Sequence, residues 1–144
     1  MARGVRGATL REHGDAIVGC EVVRGDETIL VVCENGFGKR SPVADFRQTK
    51  RGSVGVKSII TSERNGNVAG ALCVADLDGM VMISKAGQTV RISMKDLRVM
   101  GRSTQGVKLA NLKEGDCLVA IQKIEGGGLE SLPEAIEEET APIL

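Results

Sequence analysis

Basic side chains return in this chain at a constant spacing of 51 residues. Arg6, Lys57 and Lys108 occupy one position three times, each after a Gly-Val pair. Arg40/Arg91, Arg47/Arg98 and Arg51/Arg102 occupy further positions twice, and Arg3, Lys39 and Lys50 extend the same local groups. Cations held at one place on successive units of an array suit a polyanion, because phosphates are gripped by position rather than by base identity. Eight such contacts would make log K fall against log salt with a slope near about −7. Duplication can also carry surface lysines and arginines forward for solubility alone, and that reading stays beside the first.

No other constellation of chemistry-bearing residues is assembled. His13 is the sole histidine and reads as an insertion in a solvated turn. There is no Gly-x-Ser-x-Gly elbow, and Gly36-Phe37-Gly38-Lys39 falls in a hairpin instead of opening a helix as a phosphate loop does. Asp76 and Asp78 belong to an Asp-Gly hairpin. The cysteines Cys20, Cys33, Cys73 and Cys117 are scattered in apolar runs without a CxxC pair, which predicts buried free thiols. With one histidine a zinc site has no credible ligand set. An acid, a base and a nucleophile do not come together, so neither a catalytic nor a metal site is expected.

The elements that must position the cations are short strands. Residues 29–57 align without a gap on 80–108, with eight identities, and four of those are basic pairs. Thr28–Cys33, Lys39–Ser41, Lys57–Ser62 and Asn67–Val74 read as the strands of one unit. Met80–Ser84, Thr89–Ile92, Val107–Leu112 and Cys117–Ile124 read as those of the next. Asn-Gly, Asp-Gly and Ala-Gly turns separate them. About four strands per 51 residues make one blade of a propeller-like array. Pro42–Arg47 and Ser93–Arg98 each read as a single helical turn.

Residues 1–24 match the latter half of a unit, with His13 inserted. The division expected is therefore a partial blade over 1–24, blades over 25–75 and 76–125, and an acidic, disordered tail over 126–144. The fold class is all-β, a partial array of about two and a half four-stranded blades.

Composition agrees with many thin layers of aliphatic side chains. Of 144 residues 42% are hydrophobic, yet Trp and Tyr are absent and Phe occurs twice. The net charge of zero hides an asymmetry. Residues 1–125 carry 19 basic against 14 acidic side chains (+5), and residues 126–144 carry five Glu alone (−5). Without aromatic platforms the chain is poorly equipped to stack single-stranded bases, which favours a bent duplex. No apolar run approaches the roughly 20 residues that cross a bilayer, and Met1-Ala-Arg-Gly does not lead into a signal-peptide core. A reduced, cytoplasmic location is expected, with no membrane partner.

Glu34-Asn-Gly-Phe-Gly-Lys-Arg40, Thr61-Ser-Glu-Arg-Asn-Gly66 and Arg98-Val-Met-Gly-Arg-Ser-Thr-Gln-Gly-Val107 resemble the C-terminal domain of the DNA gyrase A subunit. The resemblance covers residues 1 to about 125 and implies a β-pinwheel, a propeller relative whose blades exchange strands. It implies duplex DNA wrapped on a basic perimeter, in a bacterial A2B2 topoisomerase that introduces negative supercoils at the nucleoid. ATP and Mg would be used by the rest of that assembly and by no residue here. The family has about six blades and a glycine-rich signature box, of which Gln48–Gly55 is at best a degenerate echo. Its cleavage chemistry needs a tyrosine, which this chain lacks. The topoisomerase IV equivalent, which steers substrate choice, and a propeller-type protein-interaction module are the alternatives. DNA contacts are expected at Arg6, Lys39, Arg40, Arg47, Lys50, Arg51, Lys57, Arg91, Arg98, Arg102 and Lys108.

Overall fold

A computed structural model describes residues 3–25, 27–102 and 104–126. Beyond Gly126, the acidic tail expected over 126–144 lies outside the described residues. The strands are β1 (Thr28–Cys33), β2 (Phe37–Pro42), β3 (Val68–Val74), β4 (Gly79–Ser84), β5 (Thr89–Ser93), β6 (Val107–Lys108) and β7 (Leu118–Ile124). Single 3-10 turns follow β2 at Val43–Asp45 and β5 at Met94–Asp96, where the helical passages were expected.

The strands form two antiparallel sheets, one ordered β3-β1-β2-β6 and the other β5-β4-β7. The β1–β2 and β4–β5 hairpins are in matching register, Leu30 opposite Arg40 and Val81 opposite Arg91. Gly36 turns the first hairpin at φ +87° and Gly87 the second at φ +90°, a region glycine enters without strain. β6 belongs by sequence to the second unit but pairs with β2 of the first, Phe37 opposite Lys108 and Gly38 opposite Val107. The first sheet is thus completed by a strand of the second unit.

β1 is apolar on both faces because both are covered. Leu30, Val32 and Val74 pack against Met80, Met82 and Leu118 of the other sheet, with Met94, Leu97 and Ala110 closing the layer. Val31 and Cys33, on the opposite face, pack on Ile59. Methionine, with its unbranched stem, fills much of a core that has almost no aromatic side chain to use. At Gly70 a Cβ would lie 2.8 Å from Ile121 Cδ1, so only glycine lets β3 and β7 approach this closely.

Two strand expectations are corrected. Lys57–Ser62 forms no ladder, and Val107–Leu112 is a strand only at Val107–Lys108. The exchange of strands explains the first: a segment in this position pairs with the hairpin of the preceding unit, and the described residues hold no such hairpin. Residues 3–25 likewise contain no strand. They are held by backbone hydrogen bonds from Thr9 N to Ser53 O and from Gly52 N to Gly7 O, both 3.0 Å. Ile60 N repeats the first of these on Thr104 O, 51 residues later. Cys20 is exposed in that segment, against the expectation that it is buried; Cys33 and Cys73 are buried, and Cys117 is half-buried.

Candidate nucleic-acid interface

Two of the expected DNA contacts, Lys39 and Arg40, lie inside the protein. Both alternate along β2, and both reach across to the second unit. Lys39 is 0% exposed, and its Nζ donates to Gly101 O (2.8 Å), Thr104 O (2.8 Å), Thr104 Oγ1 (3.3 Å) and Arg102 O. An ammonium taken out of water must recover its solvation from such carbonyls. Burial pushes its pKa below the ordinary lysine value, the Arg102 charge pushes the same way, and Asp45 opposes them.

Arg40 is 3% exposed. Its Nε donates to Thr28 Oγ1 (2.9 Å), one terminal nitrogen to Met94 O (2.9 Å), and the other to Asp76 Oδ1 (2.8 Å). Asp76 is 82% exposed, so solvent screens that pair and the neutral partners hold the guanidinium at least as firmly. Met100 N adds a bond to Arg40 O at 2.8 Å. Together Lys39 and Arg40 clip one blade to the turn after the other blade's 3-10 segment.

Arg102 is half-buried and braces the same junction, its Nε donating to Asp45 O (3.1 Å) and a terminal nitrogen to Lys57 O. The remaining expected residues all lie at the surface. Arg47, Lys50 and Arg51 follow the first 3-10 turn, and Arg98 follows the second. Arg6, Lys57 and Lys108 mark the three Gly-Val-basic positions, and Arg91 is exposed on β5. The recurring position after each 3-10 turn thus presents an arginine outward on both units.

Sequence reasoning missed Arg64. Its guanidinium stacks 4.1 Å from the centroid of the Phe37 ring, and it donates to Gln105 Oε1 (3.0 Å) and Gly106 O (3.1 Å). Lys108 approaches the same ring at 5.9 Å. Cations on an aromatic face gain from its quadrupole, and here that contact holds the exchanged strand in place. A phenylalanine opening a hairpin in a chain of two aromatics was the available signal. Beside it Asn65 is fully buried and donates to Ile60 O (2.9 Å) and Gln105 O (2.8 Å), tying its own turn to the segments at Ile60 and Gln105.

Asp116 stands where Asn65 stands one unit earlier, and Asp116 N→Lys113 O repeats Asn65 N→Ser62 O. Its Oδ1 accepts from Ala86 N (3.0 Å) and Cys117 N (2.9 Å). A hydrogen bond from Ser84 leads the causes that hold its carboxyl below the usual range. Asp78 organises the β3–β4 turn, accepting from Ala75 N and Gly126 N at 2.8 Å each. Among the described residues no three His, Cys, Asp or Glu gather as a metal would require, and no helix is long and apolar enough to cross a membrane.

This arrangement has close counterparts. The chain matches the family described as "DNA gyrase C-terminal domain, beta-propeller" over residues 1–24, 27–75 and 80–125. It is 58% identical over 123 residues to the DNA gyrase A subunit of Chlamydia muridarum, covering 85% of this chain and 15% of that relative. With the DNA gyrase A subunit of Staphylococcus epidermidis the identity is 38% over 125 residues, 85% of this chain and 14% of the relative. The chain therefore spans about one-seventh of the length of these curated relatives. Among solved structures, the C-terminal domain of DNA topoisomerase IV superposes with a TM-score of 0.78 at 24% identity, covering 94% of this chain and 42% of that one. The DNA gyrase A C-terminal domain does so at 0.64 and 28%, over 68% and 33%. Two sheets of short antiparallel strands that share strands, and sequence matches through all three units, place this chain in the DNA gyrase C-terminal domain family of β-propellers.

Proposed function

We propose that this chain holds and bends duplex DNA without reading its sequence, as part of a gyrase A-type topoisomerase that introduces negative supercoils. The observation that carries the reading is the division among its cations. Lys39 and Arg40 are spent inside, whereas Arg6, Arg47, Lys50, Arg51, Lys57, Arg91, Arg98 and Lys108 are all exposed. Arg102, half-buried, positions the junction between the blades and makes at most a partial contact. Outward cations at repeated positions meet a phosphate backbone that curves with the array, and their attraction for the phosphates offsets the cost of bending.

Strand cleavage belongs to another part of such an enzyme, since the chain has no tyrosine. The partners on this reading are a gyrase B subunit together with the rest of a gyrase A subunit, in an A2B2 assembly at the bacterial nucleoid. ATP and Mg would be used by the rest of that assembly. A topoisomerase IV role is the second reading, because the C-terminal domain of DNA topoisomerase IV shares this fold; the 58% identity to a gyrase A subunit puts gyrase ahead.

Fluorescence anisotropy against duplexes of increasing length, over a salt series, tests this. Affinity should climb with length, and eight phosphate contacts predict a log–log salt slope of about −7. Reversal of Arg47, Arg51 and Arg98 to Glu should abolish binding with the circular dichroism unchanged. Binding by that triple variant as tight as the parent's would refute the rim. Weak, salt-indifferent binding together with a salt-resistant protein partner would favour an interaction module.

A further inference from the structure

Arg64 is a cation outside the 51-residue repeat. One unit later its place is held by Gly115, and that of Phe37 by Gln88. Arginine and ring therefore occur together on one unit and are both missing from the next. The hydrogen-bond and ring partners of Arg64 fall between Asn35 and Gly106, within the two units whose sheets are described.

The turn that carries Arg64 is bonded to the neighbouring hairpin. Asn35 Nδ2 donates to Glu63 O (3.2 Å) and Arg64 O (3.1 Å), while Gly66 N donates to Ser62 O (2.8 Å). The guanidinium is then held from two sides, by the Phe37 ring and by Gln105 Oε1 and Gly106 O. Both acceptors are neutral, and among the described residues no carboxylate pairs with Arg64. The charge is thus oriented without being cancelled. The side chain is exposed, and its Nε–H and one hydrogen on each terminal nitrogen remain for another acceptor. Arg40 is the contrast, enclosed and with all three nitrogens engaged.

Lys108, exposed, is the ladder partner of Phe37 and approaches the same ring. It is also one of the three Gly-Val-basic positions. A phosphate backbone that follows those positions and reaches Lys108 therefore meets Arg64 as well.

From this geometry we infer that Arg64, braced on Phe37 beside Lys108, is a preorganised phosphate contact for duplex DNA in addition to holding the exchanged strand. The inference rests on the duplex-DNA reading above and adds one contact to it. A guanidinium already held in place gives up little side-chain freedom when a phosphate docks, and its planar fork suits paired phosphate oxygens. Because it occurs once, this contact marks a single place along the array, whereas the repeated arginines grip DNA alike on both units.

Salt-dependent anisotropy of the whole chain with a duplex, alongside calorimetry, reads the outcome. Arg64→Gln should make the log–log salt slope shallower by about 0.9, a loss of about eight-fold in affinity at 0.1 M salt that shrinks toward parity near 1 M. Arg64→Lys restores the charge without the fork, and should recover the parent's slope at a weaker affinity. A residue that only holds the strand would shift Tm in both variants and the slope in neither. An Arg64→Gln slope equal to a steep parental slope would overturn this contact and leave the DNA reading standing, as would an Arg64→Lys slope as shallow as that of Arg64→Gln. Parental binding that is flat in salt would overturn both.

Discussion

Replacing Lys39 by methionine separates an interior role from a DNA-contact role. The side chain keeps most of its length and volume and loses the ammonium that bonds Gly101 O, Arg102 O and Thr104 O. Hydrogen bonds to a charged donor contribute about 1.5–3 kcal/mol each, so three amount to roughly 5–9 kcal/mol. Against this stands the cost of keeping an ammonium out of water, several kcal/mol. Gly101 and Thr104 are exposed, so their carbonyls recover water once the ammonium is gone. The net loss should be about 2–3 kcal/mol, which for a domain this size lowers Tm by roughly 10 °C. Differential scanning calorimetry measures the shift, and a salt series of DNA affinities should give an unchanged slope. Each phosphate contact contributes about 0.9 to that slope. A variant with the parent's Tm whose slope falls by about one would show Lys39 on phosphate and refute the buried clip. The pH dependence carries the same signature. Burial lowers the folded pKa of Lys39 beneath its ordinary 10.5. Between those two values the unfolded chain binds more protons, so stability rises with pH there. Lys39→Met should remove that rise.

Gly106→Ala should cost more than about 3 kcal/mol in urea denaturation, combining a positive-φ penalty of about 1–2 kcal/mol with the contact 2.5 Å from Gly38 O. Gly115→Ala, at φ +80° with nothing within 4 Å, should cost the positive-φ term alone; equal losses in the two variants would deny the close seating of β6. A thiol reagent should modify Cys20 rapidly, and Cys33 and Cys73, whose thiols burial pushes up, only as the chain unfolds. Fast modification of all four cysteines in the native protein would contradict this packing. The Asp116 carboxyl titrates below its ordinary 3.8, so what it adds to stability is complete above that pH and is lost as pH falls through the lower folded value. The stability gap between the parent and Asp116→Asn should therefore close on acidification, and a gap that widens would reverse the assignment.

Hairpins were legible because their signals are local. The apolar run before Gly36 and that before Gly87 each need only a turn residue to fold back, and both did so within a residue or two of expectation. The passage Lys57–Ser62 looked the same by composition and formed no strand, since pairing there depends on a partner from another unit. For the cations the repeat predicted position but not burial. Arg40 and Arg91 are identical by alignment, yet one is enclosed and the other exposed, because the blade that covers β2 has no counterpart over β5 among the described residues. Alternation on β2 could not reveal that Lys39 and Arg40 both point into protein, since covering on both faces comes from residues some 60 positions away.

The borrowed strand also has a timetable. Pro42 ends β2 and Lys108 ends β6, 66 residues apart, which a ribosome adds in about 3–13 s at roughly 5–20 residues/s. The β1–β2 hairpin can close within microseconds of emerging. Through those seconds β2 is a bare sheet edge on a nascent chain, the geometry that invites pairing with a stranger. The strand carries Lys39 and Arg40 at that time, and their charges repel an incoming apolar strand as gatekeepers do. Only when the next blade arrives do the same two side chains turn from guarding an edge to closing a joint.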